Sequence, residues 1–202
     1  MKFKDLYKLL EKYKYFIFSN KDLFLFFPDE KKDNIKNIVY RWKNEKLIYV
    51  LKKGLYELTY PSDFNIPDLY IANKLYGPSY ISLETALSNY SIIPQVSMAV
   101  TSITTKTTRK FKNKHGLFIY RTVKPESFLG YYVEKQGPFE ILIAEPEKAF
   151  VDYLYFKIFI DNQTSLKNER IDKDIISSLN KNKLRRYASI YKIDLEEIYA
   201  FL

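Results

Sequence analysis

Apolar side chains recur every three or four residues in three stretches near the start of the chain, which predicts three amphipathic helices. The first helix is expected over Phe3–Tyr13. The second begins after Ser19 or Asn20, either of which can cap a helix, and stops at Pro28. The third is expected over Lys31–Glu45. Its apolar stripe consists of Ile35, Ile38, Val39 and Trp42.

A β-hairpin is predicted directly after the third helix. Its strands are Leu47–Leu51 and Leu55–Thr59, joined by the turn Lys52–Gly54, where glycine can take a positive φ. The short apolar run Tyr15–Phe18 predicts a further small strand. Three helices followed by a hairpin are typical of a winged helix-turn-helix. We therefore predict a winged helix-turn-helix DNA-binding domain over residues 1–60.

The face of the third helix opposite its apolar stripe carries cationic, amide and phenolic side chains. On a helical wheel this face holds Asp33 together with the candidate DNA-binding residues Lys36, Asn37, Tyr40, Arg41 and Asn44. Arg can bind guanine and Asn can bind adenine through two hydrogen bonds each, so this face suits the major groove of DNA. Phosphate contacts are expected from Ser19, Asn20, Lys21, Lys52 and Lys53. Any surface helix has a polar face, so a protein-interaction module without DNA binding is the alternative.

Turn-forming residues are crowded between Thr59 and Pro67, where we place the boundary to a second domain, residues 67–202. Four strands are expected there, over Met98–Thr104, Leu117–Thr122, Phe128–Val133 and Phe139–Ile143. Helices are expected over 68–75, over 82–90, from Pro146 onward, and over 171–180, 184–191 and 195–202. We predict an α+β protein whose mixed α/β C-terminal domain has a small antiparallel sheet and terminal helices.

Composition excludes several kinds of chemistry. The chain has no Cys, which removes disulfides, zinc–cysteine sites, iron–sulfur clusters and cysteine nucleophiles. Its single histidine, His115, falls in a predicted turn and is expected to be exposed. The longest apolar runs, such as Leu23–Phe27, are far shorter than the roughly 20 residues of a membrane span. The charged N-terminus lacks the apolar core of a signal peptide. We expect a cytoplasmic protein with no membrane segment, metal or cofactor.

The formal net charge of +9 is concentrated in two blocks. Residues 1–65 carry 14 basic and 9 acidic side chains, and residues 85–125 carry seven basic side chains and no carboxylate. A basic excess favours a polyanionic partner, although a lysine-rich chain is also typical of an AT-rich genome. In the second block we predict that a partner binds Lys106, Arg109, Lys110, Lys112 and Lys114. The alternative is neutralisation within the fold, by Glu145, Glu147 and Asp152.

Three segments of the second domain carry a resemblance to a known family. They are IANKLYGPSYISLETALSNYSIIP (71–94), VTSITTKTTRKF (100–111) and IAEPEKAFVDYLYF (143–156), downstream of a helical unit that ends in KKGLYEL. In this order they resemble the AbiE-type antitoxins, transcriptional regulators of type IV toxin–antitoxin systems in phage-defence loci. The resemblance implies a winged-helix domain that binds repeats in its own promoter and represses it. It also implies a C-terminal domain that counters, directly or functionally, a cognate toxin similar to a nucleotidyltransferase.

Glu145, Glu147 and Lys148 superficially resemble the carboxylate–lysine site of a nuclease. Adjacent Glu and Lys residues do not share one face of a strand, however, and acidic residues near the positive end of a helix dipole explain them better. The chain also lacks a Gly-rich phosphate-binding loop. We predict that the protein is not an enzyme. A nuclease with a winged-helix targeting domain is the alternative.

Overall fold

A computed structural model of the chain describes residues 1–59, 65–94, 98–162 and 170–194. The chain divides into two compact units, Met1–Pro67 and Asp68–Leu202. Both units combine helices with a β-sheet, so the predicted α+β class is confirmed. The turn-forming residues around Pro61 and the helix predicted over 195–202 lie outside the described residues.

The described residues of the first unit form three helices and a three-stranded antiparallel sheet in the order β1-β3-β2. Its elements are α1 (Phe3–Lys12), β1 (Ile17–Ser19), α2 (Asn20–Phe26), α3 (Lys32–Asn44), β2 (Ile48–Lys52) and β3 (Leu55–Leu58). Each lies close to its predicted position. The four apolar residues of the α3 stripe are all buried. Phe3 of α1 packs edge-on against Trp42 of α3, with ring centroids 5.4 Å apart.

The second unit is built around a six-stranded mixed sheet with strand order β6-β7-β5-β4-β9-β8. Its strands are β4 (Ser79–Ile81), β5 (Ala99–Thr104), β6 (Arg109–Asn113), β7 (Gly116–Thr122), β8 (Tyr131–Gln136) and β9 (Phe139–Ala144). Its helices are α4 (Asp68–Leu75), α5 (Leu83–Asn89), α6 (Pro146–Leu154), α7 (Lys173–Ser178) and α8 (Lys181–Tyr191). The chain also forms a short 3₁₀ turn over Pro125–Ser127, and α6 continues as a π-helix over Tyr155–Ile160.

The prediction of a small antiparallel sheet is wrong in both size and pairing. The sheet has six strands, and two of its pairings, β5 with β7 and β4 with β9, are parallel. Two strands were missed because they lack the alternation that identifies a half-buried strand. All three residues of β4 are buried, and β6 has the sequence RKFKN, with Phe111 as its one apolar residue.

Helices cover both faces of the six-stranded sheet. Helix α4 lies on one face, and its Ala72 carbonyl accepts a hydrogen bond from the hydroxyl of Tyr120 in β7 (2.6 Å). Helix α5 lies on the other face, and the backbone N–H of its Thr85 donates to Oγ1 of Thr101 in β5 (3.1 Å). Helix α6 packs against α5, and α8 packs against α6. Within the described residues, no helix is both long enough and apolar enough to cross a membrane.

Candidate nucleic-acid interface and a buried polar cluster

The outer face of α3 is exposed to solvent. Tyr40 keeps 67% of its surface accessible, and the other polar side chains of this face are exposed as well: Lys36, Asn37, Arg41 and Asn44. Lys36 pairs with Asp33 one turn earlier (2.9 Å), which lowers the pKa of that carboxyl group. Within the described part of the chain, the side chains of the other four make no hydrogen bond or ion pair. They are therefore available to an external ligand.

The start of α2 uses its polar side chains for local structure. Ser19 is the N-cap: its hydroxyl accepts from the backbone N–H of Asp22 (3.3 Å) and donates to the Asp22 carboxylate (2.8 Å). The Asp22 carboxylate in turn accepts from the Ser19 backbone N–H (2.6 Å). This capping box holds the first turn of the helix. Ser19 therefore has a structural role besides the DNA contact predicted for it.

The hairpin turn lies beside the start of α2. Gly54 takes a φ of +81°, and its carbonyl accepts a hydrogen bond from the backbone N–H of Asn20 (3.2 Å). Lys53 and Lys21 are exposed, whereas Lys52 is half-buried. The structure thus brings together the two groups of residues that the sequence predicts to contact phosphates.

The five cations predicted to bind a partner do not form one surface. Lys106 and Arg109 lie over the ring of Tyr76, with 5.4 Å from Lys106 Nζ and 5.8 Å from the Arg109 guanidinium carbon to the ring centroid. Side chains along a strand point alternately to its two faces, so Lys110 and Lys112 of β6 lie on the face opposite to that of Arg109. Lys114 lies in the exposed turn between β6 and β7.

The carboxylates proposed to neutralise these cations lie elsewhere. Glu145 bonds the Tyr187 hydroxyl (2.7 Å) and Lys183 Nζ (3.1 Å), and Glu147 accepts from the backbone N–H of Asn180 (3.0 Å). Asp152 pairs with Lys148. In the described ranges no carboxylate pairs with Lys106, Arg109, Lys110 or Lys112. Neutralisation by Glu145, Glu147 and Asp152 is therefore not how these four cations are accommodated.

The same contacts separate the three residues that resemble a nuclease site. Glu145 and Glu147 both face α8 and the segment that leads into it, whereas Lys148 points into the interior. Burial alone would raise the pKa of Glu145, but the hydrogen bonds from Tyr187 and Lys183 together outweigh it and lower that pKa. The three charged groups do not converge on one point.

A fully buried ion pair lies at the centre of the second unit. Lys148 Nζ contacts the Asp152 carboxylate and donates to the hydroxyl oxygens of Tyr80 (2.9 Å) and Tyr191 (3.1 Å). The Asp152 carboxylate accepts from three hydroxyls, those of Tyr80 (3.0 Å), Ser82 (2.8 Å) and Tyr191 (2.6 Å). Both charged side chains have 0% of their surface exposed. The cluster links α6 to the central strand β4 and to the end of α8.

Burial governs the proton affinities in this cluster. Desolvation lowers the pKa of Lys148, because it outweighs the favourable charge of Asp152. Desolvation also raises the pKa of Tyr80 and of Tyr191, and the negative charge of Asp152 adds to both increases. The two tyrosines therefore remain neutral hydrogen-bond donors near neutral pH. The sequence did not reveal this pair as a buried one, although a Lys and an Asp four residues apart, separated by the apolar residues Ala149–Val151, were a detectable signal.

The expectation that His115 is exposed is wrong. Its side chain is only 17% exposed, and its Nδ1 lies 3.4 Å from the carboxylate of Asp68, the first residue of α4. The turn formers around His115 correctly predict a turn, but they carry no information about the helix that packs beside it.

Comparison of the chain with models of known protein families found no match, and comparison with curated proteins found no match either.

Proposed function

We propose that this protein is a DNA-binding transcriptional autorepressor and an antitoxin that counters a cognate nucleotidyltransferase-like toxin. The main support for the DNA-binding part of this proposal is the outer face of α3. Asn37 and Arg41 lie one helical turn apart there, both are exposed, and neither side chain is bonded within the described residues. Amide and guanidinium groups so arranged can reach neighbouring base edges in the major groove.

The rest of the first unit supports this proposal. Its element order, with three helices, a strand before α2 and a hairpin after α3, fits a winged helix-turn-helix. Lys21 at the start of α2 and Lys53 at the hairpin turn are exposed cations on neighbouring parts of the surface. In this proposal they bind phosphates and orient α3 on the duplex, while α3 reads the bases.

The antitoxin half has a different basis. It rests on the resemblance of segments 71–94, 100–111 and 143–156 to the AbiE-type antitoxins, and all three fall within the second unit. A chain of two compact units is consistent with separate DNA-binding and antitoxin functions. The promoter would contain repeated half-sites, as the resemblance implies.

Two measurements test the two halves. A gel-shift titration of the whole protein with the DNA upstream of its own gene should show binding that weakens as salt increases. Co-expression with a nucleotidyltransferase-like protein encoded beside this gene should restore growth that this second protein inhibits. A well-folded protein that binds neither its upstream DNA nor unrelated duplexes would instead be a protein-interaction module, and the DNA-binding proposal would be wrong.

A further inference from the structure

The second unit contains a cavity of about 240 Å³ between α5, strands β5 and β7, and the π-helix that extends α6. Its apolar lining includes Leu83, Ala99, Ile119 and Phe156. Leu83 and Phe156 are buried, whereas Ala99 and Ile119 are only partly covered. The cavity thus has an apolar interior large enough for one bulky side chain.

The charged residues of the lining neutralise one another. Arg121 pairs with Asp161 (2.7 Å), and its guanidinium group also stacks on the Phe156 ring at 4.5 Å. Lys157 lies 3.5 Å from the carboxylate of Glu84. Two cations and two carboxylates leave the lining without net charge, so the cavity itself favours an apolar group over an anion.

Unpaired positive charge begins immediately outside the cavity. Lys110 is directly opposite Ile119, and Lys112 is directly opposite Leu117, in the β6–β7 register. Directly paired residues have Cβ atoms about 5 Å apart and point to the same face. Both lysines are exposed, and neither forms an ion pair in the described part of the chain. They therefore lie beside the cavity, on the edge strand of the sheet.

We propose that this surface, which we call the β6 groove and define as Lys110, Lys112 and the cavity lining, binds an acidic segment of a protein partner. A large apolar side chain of that segment enters the cavity, and carboxylates beside it pair with Lys110 and Lys112. The inference rests on the proposed antitoxin function, in which the partner is the toxin. Nucleic acid fits less well, because the cavity lining is largely apolar and carries no net charge, which suits a hydrocarbon side chain better than a phosphate.

The chain provides a matched control for this proposal. Lys106 and Arg109 belong to the same basic segment, but they lie over Tyr76 on the other face of the sheet. Reversing two charges on either face changes the net charge equally. Only the change at Lys110 and Lys112 alters the β6 groove.

The first test uses a short fluorescent peptide with one Phe flanked by Glu residues, titrated against the whole protein. We expect Lys110→Glu/Lys112→Glu to weaken binding by about tenfold or more, since it places like charges together. Lys106→Glu/Arg109→Glu should change binding less than about twofold. Replacing the peptide Phe by Ser should also weaken binding. Equal losses in both double variants, no effect of the Phe replacement, or no binding to the wild type would overturn the proposal.

The second test separates this inference from the proposed function. Lys110→Glu/Lys112→Glu should lose toxin neutralisation in co-expression but keep wild-type affinity for upstream DNA. Loss of DNA affinity in this variant would assign the groove to nucleic acid and overturn the proposal. If the wild type itself neutralises no toxin yet binds the peptide through the groove, the antitoxin function is wrong and the groove is still supported as an acidic-peptide site.

Discussion

Asp152 lies one helical turn after Lys148 on α6, and the two oppositely charged side chains form an ion pair with no solvent access. Within the described residues, their other hydrogen-bond partners are hydroxyls, supplied by Tyr80, Ser82 and Tyr191. Desolvating two charges is costly, and the network compensates by giving the carboxylate three hydroxyl donors besides the ammonium group. The pair therefore makes the stability of the second unit depend on complete assembly of the cluster.

We predict that Asp152→Ala destabilises the protein by about 3–5 kcal/mol, because it leaves the Lys148 ammonium buried without a counter-charge. Lys148→Met should cost less, since Asp152 would keep its three hydroxyl donors. Urea unfolding at neutral pH measures both. A loss below about 1 kcal/mol for Asp152→Ala, within the range of a single neutral hydrogen bond, would show that the pair is not buried in solution.

The Glu145 carboxylate should make stability depend on pH in the acid range. Its pKa in the folded state is below the ordinary value of 4.5, so its stabilising effect is fully present above that pH and is lost as the pH falls through the folded pKa. We therefore expect wild type to be more stable than Glu145→Gln at pH 7 and the difference to shrink below about pH 4.5. A difference that stays constant during acid titration would contradict the pairing with Tyr187 and Lys183.

Gly130 should tolerate no larger residue. Its φ is +76°, and a Cβ atom there would lie 2.8 Å from ring carbons of Tyr187. Gly137 has a φ of +60°, but a Cβ atom there would meet nothing within 4 Å. Gly137→Ala should thus cost only the left-handed strain of about 1–2 kcal/mol, and Gly130→Ala clearly more. Equal losses in thermal stability would mean that Tyr187 does not pack on Gly130.

For DNA binding, Asn37→Ala and Arg41→Ala should each weaken binding to the preferred sequence by about 1–3 kcal/mol, with little effect on unrelated DNA. Lys53→Ala should weaken binding to all sequences alike and flatten the salt dependence, since it removes a phosphate contact. Competition gel shifts at several salt concentrations distinguish the two patterns. Unchanged specificity in a folded Asn37/Arg41 double variant would exclude α3 as the reading helix.

The two units should also be separable. A fragment of residues 67–202 retains the complete six-stranded sheet and its buried ion pair. We expect it to unfold cooperatively, to neutralise the toxin and to lose binding to upstream DNA. A cooperatively folded fragment that fails to protect cells would show that neutralisation needs the first unit as well.

The sequence alone was sufficient for the elements of the first unit. Helix α3 and the hairpin are local structures whose apolar spacing and turn residues lie within a few positions of one another. The same spacing defined which face of α3 is exposed, so the candidate reading residues Asn37 and Arg41 could be chosen without coordinates.

Only the tertiary structure decided the architecture of the second unit. Strand β4 is short and buried on both faces, and its parallel pairing with β9 joins residues far apart in the chain, so no local pattern reveals it. The basic segment likewise looks continuous in sequence, yet the two-residue period of β6 sends Arg109 and Lys110 to opposite faces. Lys148 and Asp152 were visible as a helical pair, but their complete burial depends on Tyr80 and Tyr191, which only the folded chain brings to them. Local spacing determines elements and faces, whereas long-range contacts determine which charges meet.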